Sequence, residues 1–254
     1  MRLAFCLDGY ATQVGVAVTQ PDPGTLRYEV VGDADPEPAV AHAARVLSVD
    51  VDGTGYDELV DADPVLATAY QARPGMRPPL FYSVYEALLW AVLSARRPAQ
   101  LMARLRERLA TEHGQVFDVA GQRLAAMPTP SQLLAVHFFP GLPDIKLARM
   151  HAIAEAARDG ALDTPTLRAA DPAAVAAELR RFAGIGPFYA ELVTVRTLGQ
   201  TDVLPTTEPK VVAATGALLG RDGFSQLDFE RAAESWRPWR TWAAVALRAS
   251  AAPR

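Results

Sequence analysis

The chain has 254 residues, half of them apolar and about a fifth charged, and carries a net charge of −4. That length and balance describe a globular chain with a large core in one or two domains, and exclude disorder. The single cysteine, Cys6, excludes a disulfide framework, a cysteine-based zinc site and a four-cysteine iron–sulfur cluster within the chain. The histidines, His42, His113, His137 and His151, show no H-x-x-x-H or H-x-E spacing, so no catalytic transition metal is expected. "MRLAFCLDGY" is too short an apolar run for a signal peptide, and no apolar stretch approaches ~18 residues. A soluble, cytoplasmic, nucleoid-associated protein without membrane contact is expected.

Residues 3–7, 13–19 and 25–31 are short, alternating or β-branched, and separated by "DGYAT" and "PDPG". They read as three strands, followed by a helix over 38–47. "DADPVLATAYQ" reads as a short helix, and Pro74, Pro78 and Pro79 then make a connector. The boundary is placed there: a small α/β domain over 1–72 and an all-helical domain over 73–254.

The second part reads as helix after helix. "VYEALLWAVLSA" (84–95) is apolar nearly all round and should be central. Pro98 opens the next helix, which Gly114 ends. Thr129 and Asp171 each precede a proline, as N-caps do. "PDIKLARMHAIAEAARDG", "PFYAELVTVRTLG", "PKVVAATGALLG", "SQLDFERAAESW" and "PWRTWAAVALRAS" complete the set. The acids concentrate before residue 65, whereas 231–254 holds Arg231, Arg237, Arg240, Arg248 and Arg254 against Glu234. This asymmetry suggests a basic face on the second half, a solvated helix surface being the alternative.

"RFAGIGPFYAE" (181–191) sets a G-x-G turn between two helices. Gly184 and Gly186 can take positive φ and leave backbone N–H groups uncovered. Pro187 starts a helix whose N-terminus carries a partial positive charge, and such an end binds anionic oxygens. No strand precedes the turn, so it is not a dinucleotide fingerprint. On these residues alone, a tight turn without a ligand stays open.

The wider stretch "LRRFAGIGPFYAELVTVRTLGQTDVLP" resembles the helix-hairpin-helix signature of the DNA base-excision glycosylases. "FYSVYEALLWAVLSA" and "ESWRPWRTWAAVAL" resemble two further helices of that superfamily, in the same order. The resemblance covers residues 70–250 and is nearest the alkylation-repair branch, the 3-methyladenine DNA glycosylase II type, whose members carry an N-terminal α/β domain. It implies a mainly α fold: a helix-hairpin-helix bundle with a small N-terminal α/β domain. It implies a monomer acting on duplex DNA that contains damaged bases. Gly184, Ile185 and Gly186 would grip phosphate through backbone N–H groups. A monovalent Na or K ion on the hairpin carbonyls would be the only bound group.

A glycosylase of this kind flips a base and hydrolyses its N-glycosidic bond, with a carboxylate beside the cation-like sugar. The family's acid, an Asp in D-V-x-x-x-x-D, maps from Asp202 and from Gly184 onto position 208, which is Glu208. Pro209 makes Glu208 the N-cap of the next helix, and Glu caps poorly where Asp caps well. Thr206 and Thr207 are placed to satisfy the free N–H groups there. Three readings of Glu208 stay open: a working acid, an acid giving weak or altered activity, and a DNA-binding protein without cleavage. A glycosylase for a different lesion is a further alternative.

Bifunctional relatives carry a Schiff-base lysine at the position of Phe188, so the resemblance implies a monofunctional enzyme using water. Arg96 falls where the family's intercalating wedge stands, although "SARRP" departs from the family's G-Q-x-x-S. Arg96 and Arg97 would plug the gap or hold phosphates, or form a solvated pair at a helix end. Lys146 matches a basic residue near a DNA-facing turn. Trp236, Trp239 and Trp242 would wall the base pocket or pack in the core, and Tyr189 and Tyr85 are further candidates for pocket lining.

Overall fold

The structure, a computed structural model, describes residues 1–250; Arg254, counted above with the basic face, lies outside the described residues. β1 (Arg2–Cys6), β2 (Gln13–Asp22) and β3 (Thr25–Val31) form an antiparallel sheet in chain order. Alternation gives the sheet two buried faces. Leu3, Phe5, Val14, Val16 and Val18 pack on Ala39 and Ala43 of α1 (Pro36–Val46). Ala4 and Ala17 on the other face pack on a second hairpin, β4 (Val116–Val119) and β5 (Gln122–Ala125). Gly15 allows that approach, because a Cβ there would stand 2.6 Å from Val119 Cγ2. The sequence reading has no strands over 116–125; four-residue strands carry too little alternation to register, and Gly15 and Ala17 supply their packing.

Two further helices, α2 (Thr54–Ala62) and α3 (Pro64–Gln71), follow, and only the second is expected from sequence. They pack with α11 (Pro209–Leu218), α12 (Gln226–Ala233) and α13 (Arg240–Ser250), so Tyr56, Val60 and Leu66 share one cluster with Val211, Phe229 and Trp242. Packing therefore runs across residues 72–73 rather than breaking there. The C-terminal segment "SQLDFERAAESW" forms α12 and then a 3-10 turn, Glu234–Trp236.

At the centre stands α4 (Val84–Ser94), buried along all but Trp90 and Ser94, as its apolar composition predicts. Around it lie α5 (Ala99–His113), α6 (Pro130–Leu134), α7 (Asp144–Arg158), α8 (Thr164–Arg168), α9 (Pro172–Leu179) and α10 (Pro187–Thr197). Glu86 inside α4 pairs with Arg106 of α5 at 2.9 Å. Burial raises its pKa, and Arg106 opposes the rise. The predicted caps form: Thr129 Oγ1 accepts from Gln132 N, and Asp171 Oδ2 accepts from Ala174 N. The outcome is a mainly helical fold with a small N-terminal sheet.

Candidate active site and nucleic-acid interface

The turn between α9 and α10 is fixed from below and open above. Gly184 has φ +93, a region that favours glycine. Ile185 is buried in the main core and its N–H donates to Phe182 O at 3.0 Å. The Arg149 guanidinium of α7 lies directly against Gly184: a Cβ there would be 2.9 Å from Nη1. Gly186 is the N-cap of α10, would have open space around a Cβ and gives no side-chain cap. The first N–H groups of α10 therefore meet solvent or a ligand.

Beyond α10 the chain loops back as residues 198–208, and its polar groups are tied down one by one. Asp202 accepts from Arg240 Nε at 2.6 Å and from Arg237 Nη1 at 2.7 Å. Burial raises the Asp202 pKa and the two arginines outweigh it, leaving the carboxyl below its usual range. Thr241 Oγ1 accepts from Val203 N at 2.8 Å and donates to Val203 O at 2.9 Å. The carboxylate of Glu191 on α10 accepts the N–H and O–H of both Thr206 and Thr207.

Glu208 ends this loop as the N-cap of α11, in extended conformation. Contrary to the expectation for its side-chain length, it does cap: Oε1 accepts from Lys210 N at 3.0 Å. Nor do the two threonines serve the helix end; they are turned to Glu191. Oε2 of Glu208 stands 3.7 Å from Arg248 Nε, and the side chain is 21% exposed. It lines a cleft whose apolar walls are Phe188 and Leu192 of α10, Val211 of α11 and Val245 of α13. Arg196 completes the wall and donates from Nε and Nη2 to Pro79 O. Burial, with Arg248 adding, holds the Arg196 pKa below the ordinary guanidinium value. The cleft thus joins the hairpin helix to a partly exposed carboxylate in a mostly apolar setting.

Other predicted residues fall elsewhere. Phe188 is at the cleft, 38% exposed, and meets Tyr189 edge-on. Tyr189 turns toward α4, its hydroxyl 3.2 Å from Ser94 Oγ. Tyr85 is fully buried and donates to Pro128 O. Trp236 and Trp242 are core residues, and Trp239 packs on Tyr56 and Trp242. None of these five lines the cleft of Glu208. Large rings repeated on adjacent turns fill a core because that is where their area is covered.

Arg96 and Arg97 are exposed at the tip of the α4–α5 turn, Arg96 with φ +56. Lys146 is not free: Nζ donates to Leu93 O at 2.6 Å and Ala95 O at 3.2 Å, closing the C-terminus of α4. Burial, then Arg97 and Arg149, lowers its pKa. The expected basic C-terminal face is also reduced, because Arg237 and Arg240 are paired with Asp202 and Glu234. A denser basic edge lies elsewhere: Arg97, Arg104 and Arg108 line a groove beside Lys146. Sequence reasoning missed Glu191, Arg149 and Arg248 as site residues. The available signal was two adjacent threonines before Glu208, which need an acceptor.

No protein-family model matches the chain. It is 28% identical over 233 residues to a probable bifunctional transcriptional activator/DNA repair enzyme AlkA of Mycobacterium tuberculosis, covering 90% of this chain and 46% of the relative. It is 25% identical to DNA-3-methyladenine glycosylase 2 of Escherichia coli, covering 90% of this chain and 79% of that one. The chain thus spans about half the length of the mycobacterial relative. In structure it is similar to a 3-methyladenine DNA glycosylase from Archaeoglobus fulgidus, with TM-score 0.79 and 21% identity over 97% of this chain and 85% of the other. A fission-yeast (Schizosaccharomyces pombe) 3-methyladenine DNA glycosylase in complex with abasic DNA gives TM-score 0.58 and 20% identity, over 75% and 92%. The chain shares the fold of these DNA glycosylases, and its hairpin lies between two of its helices. The proteins named here, which it resembles, carry names from alkylation repair.

Proposed function

We propose that this chain is a monofunctional DNA N-glycosylase of base-excision repair that removes alkylated purines from duplex DNA. The observation that carries the reading is the partly exposed Glu208 carboxylate, set in a cleft one wall of which is the hairpin helix. Breaking the bond from C1′ to a base nitrogen leaves positive charge on the sugar. A carboxylate held beside it in apolar surroundings lowers that barrier and orients the attacking water. The reacting nucleotide must leave the stack, and the exposed Phe188 ring offers an apolar surface at the cleft for it. Position 188 holds no amine, so an imine with the sugar has no donor there and water is the nucleophile.

The hairpin would take a backbone phosphate on the free N–H groups at the start of α10, with Arg149 beside the turn. A Na or K ion on the hairpin carbonyls fits: Phe182 O and Gly186 O each accept one backbone N–H and keep a second lone pair. Such an ion would neutralise phosphate charge. Arg96 and Arg97 would meet the other side of the duplex, and one molecule would act alone. The relatives' names supply the alkylated-purine class.

Glu208→Gln tests the reading. Release of N3- and N7-methylpurines should fall ~100–1000-fold, the scale of losing one electrostatic stabiliser, while affinity for an abasic-site duplex survives. A wild-type protein that releases nothing from heavily methylated DNA, or a variant that matches it, removes the reading. A second reading, DNA binding without cleavage, has its own support: one carboxylate oxygen of Glu208 is used as a cap and the other faces Arg248. Lesion-panel digestion read by mass spectrometry separates the two, and also detects a different lesion.

A further inference from the structure

We infer that Glu191 is a positioning residue that ties the acid-bearing loop to the hairpin helix, so that DNA grip and the aim of Glu208 share one rigid part. This rests on Glu208 being the working acid. Oε1 of Glu191 accepts from Thr206 N and Thr206 Oγ1, both at 2.7 Å. Oε2 accepts from Thr207 N at 2.7 Å and from Thr207 Oγ1. The next peptide is that of Glu208. Glu191 also stands on the cleft wall, in the second turn of the helix that Gly186 and Pro187 begin.

The charge state and geometry of Glu191 are both used. Four donors occupy the four lone-pair sites of an ionised carboxylate. Glu191 is therefore committed as an acceptor, and is distinct in role from Glu208, which receives one backbone N–H and has Arg248 at 3.7 Å. A neutral amide has one acceptor oxygen, so at least two threonine donors would lose their partner in Glu191→Gln. Without the tether, residues 206–208 are held chiefly by the cap to Lys210 and by the Val203 bonds to Thr241 five residues upstream. The sequence carries the same logic: the two threonines place their donors just ahead of the acid, and the acceptor sits one turn past the hairpin.

The test compares wild type with Glu191→Gln in the full chain, well below the melting temperature of both. Single-turnover release of methylpurine should fall ~10–100-fold, in line with a displacement of about 1 Å at a reacting group. Affinity for an abasic-site duplex should stay within about threefold, and amide hydrogen exchange at Thr206 and Thr207 should accelerate. Added to Glu208→Gln, the change should cost nothing further, because it acts through that group. Should Glu191→Gln not fold, Thr206→Val with Thr207→Val cuts two of the four bonds from the loop side and should give the same split of rate from affinity. Faster exchange with an unchanged rate overturns the inference. So does a rate loss matched by lost affinity, or one that persists on top of Glu208→Gln. If the wild type releases no base from any lesion, the glycosylase reading itself fails. Accelerated exchange would then leave Glu191 as a brace for the loop and nothing more.

Discussion

The loop that carries Glu208 and the turn that carries Arg96 begin alike. Each leaves the end of a buried-faced helix, and each ends at a proline beside the start of the next. In the acid loop, Asp202, Val203, Thr206 and Thr207 are all bound by side chains of α10, α13 and the segment before it. In the arginine turn, the backbone is fixed by Lys146 and by the Arg97 N–H to Ser94 O, and both guanidinium groups are exposed. The difference fits the roles proposed for the two rims. A charge that acts on one atom loses its effect when displaced by an ångström. A cation that meets a phosphate, or fills a gap, works over a range of positions and gains from freedom to reach.

This contrast holds for the tips of the two rims, and the arginine rim has a firm base. His42 Nε2 donates to Tyr82 O at 2.6 Å, immediately before Ser83, which caps α4. His42 is faced by Asp8 at 3.7 Å, by Arg45 and by the Phe5 ring. Burial first, then Arg45, lowers its pKa to about 4, with Asp8 opposing. The folded value thus lies below the unfolded one, near 6.5, so the unfolded chain takes up a proton first as pH falls. Stability from this group is complete above about pH 6.5 and is lost progressively down to about pH 4. The total is about 3.5 kcal/mol, at ~1.4 kcal/mol for each pH unit between the two values. Urea unfolding at pH 7.5 and 4.5 should show this fall, and His42→Gln should remove that part of it. An unchanged pH slope in the variant would mean that His42 does not anchor α4 in its neutral form.

The acid rim should break next most sharply at Thr241, which is 2% exposed and makes both bonds to Val203. Thr241→Val keeps the shape and strands a partly buried N–H and C=O, costing about 1–3 kcal/mol. Methylpurine release should fall with it, more than affinity for abasic DNA. If stability drops and the rate does not, the loop needs its staples for folding alone, and the contrast between rims loses its catalytic meaning.

What the sequence made legible follows the range of each interaction. Strands β1 to β3 and the helices opened by Thr129, Asp171 and Pro209 are marked by residues within three or four positions of the feature. Glu208 could be counted from Gly184 because the hairpin, α10 and the loop form one continuous run. Glu191 was hidden although it lies in that run: its role depends on a loop folding back over 15 residues onto its carboxylate. Lys146 carries the right charge near the right turn, yet its ammonium satisfies the end of α4. Of the two readings open for the tryptophans, packing is the one the structure takes, since a large ring gains most where its area is covered. Helix α2, read only as an acidic stretch, is supported by Tyr56 and Val60 packing on the C-terminal helices.

The smallest effect is expected at the arginine tip, and there the comparison can be made sharpest. Arg96 and Arg97 are exposed and make no side-chain hydrogen bond or ion pair among the described residues. Replacing both by serine should therefore leave stability within about 0.5 kcal/mol, as for ordinary surface positions. If both meet phosphates, the slope of log affinity against log salt should become shallower by about 1.8, since each contact contributes about 0.9. A wedge behaves differently: Arg96→Ser alone would then reduce base release at saturating enzyme while the salt slope moves by one contact or less. Measuring slope and single-turnover rate in both single variants thus assigns each arginine to phosphate or to the gap. A large loss of stability in either would show that this turn, too, is built from fixed side chains, and that the two rims do not differ in kind.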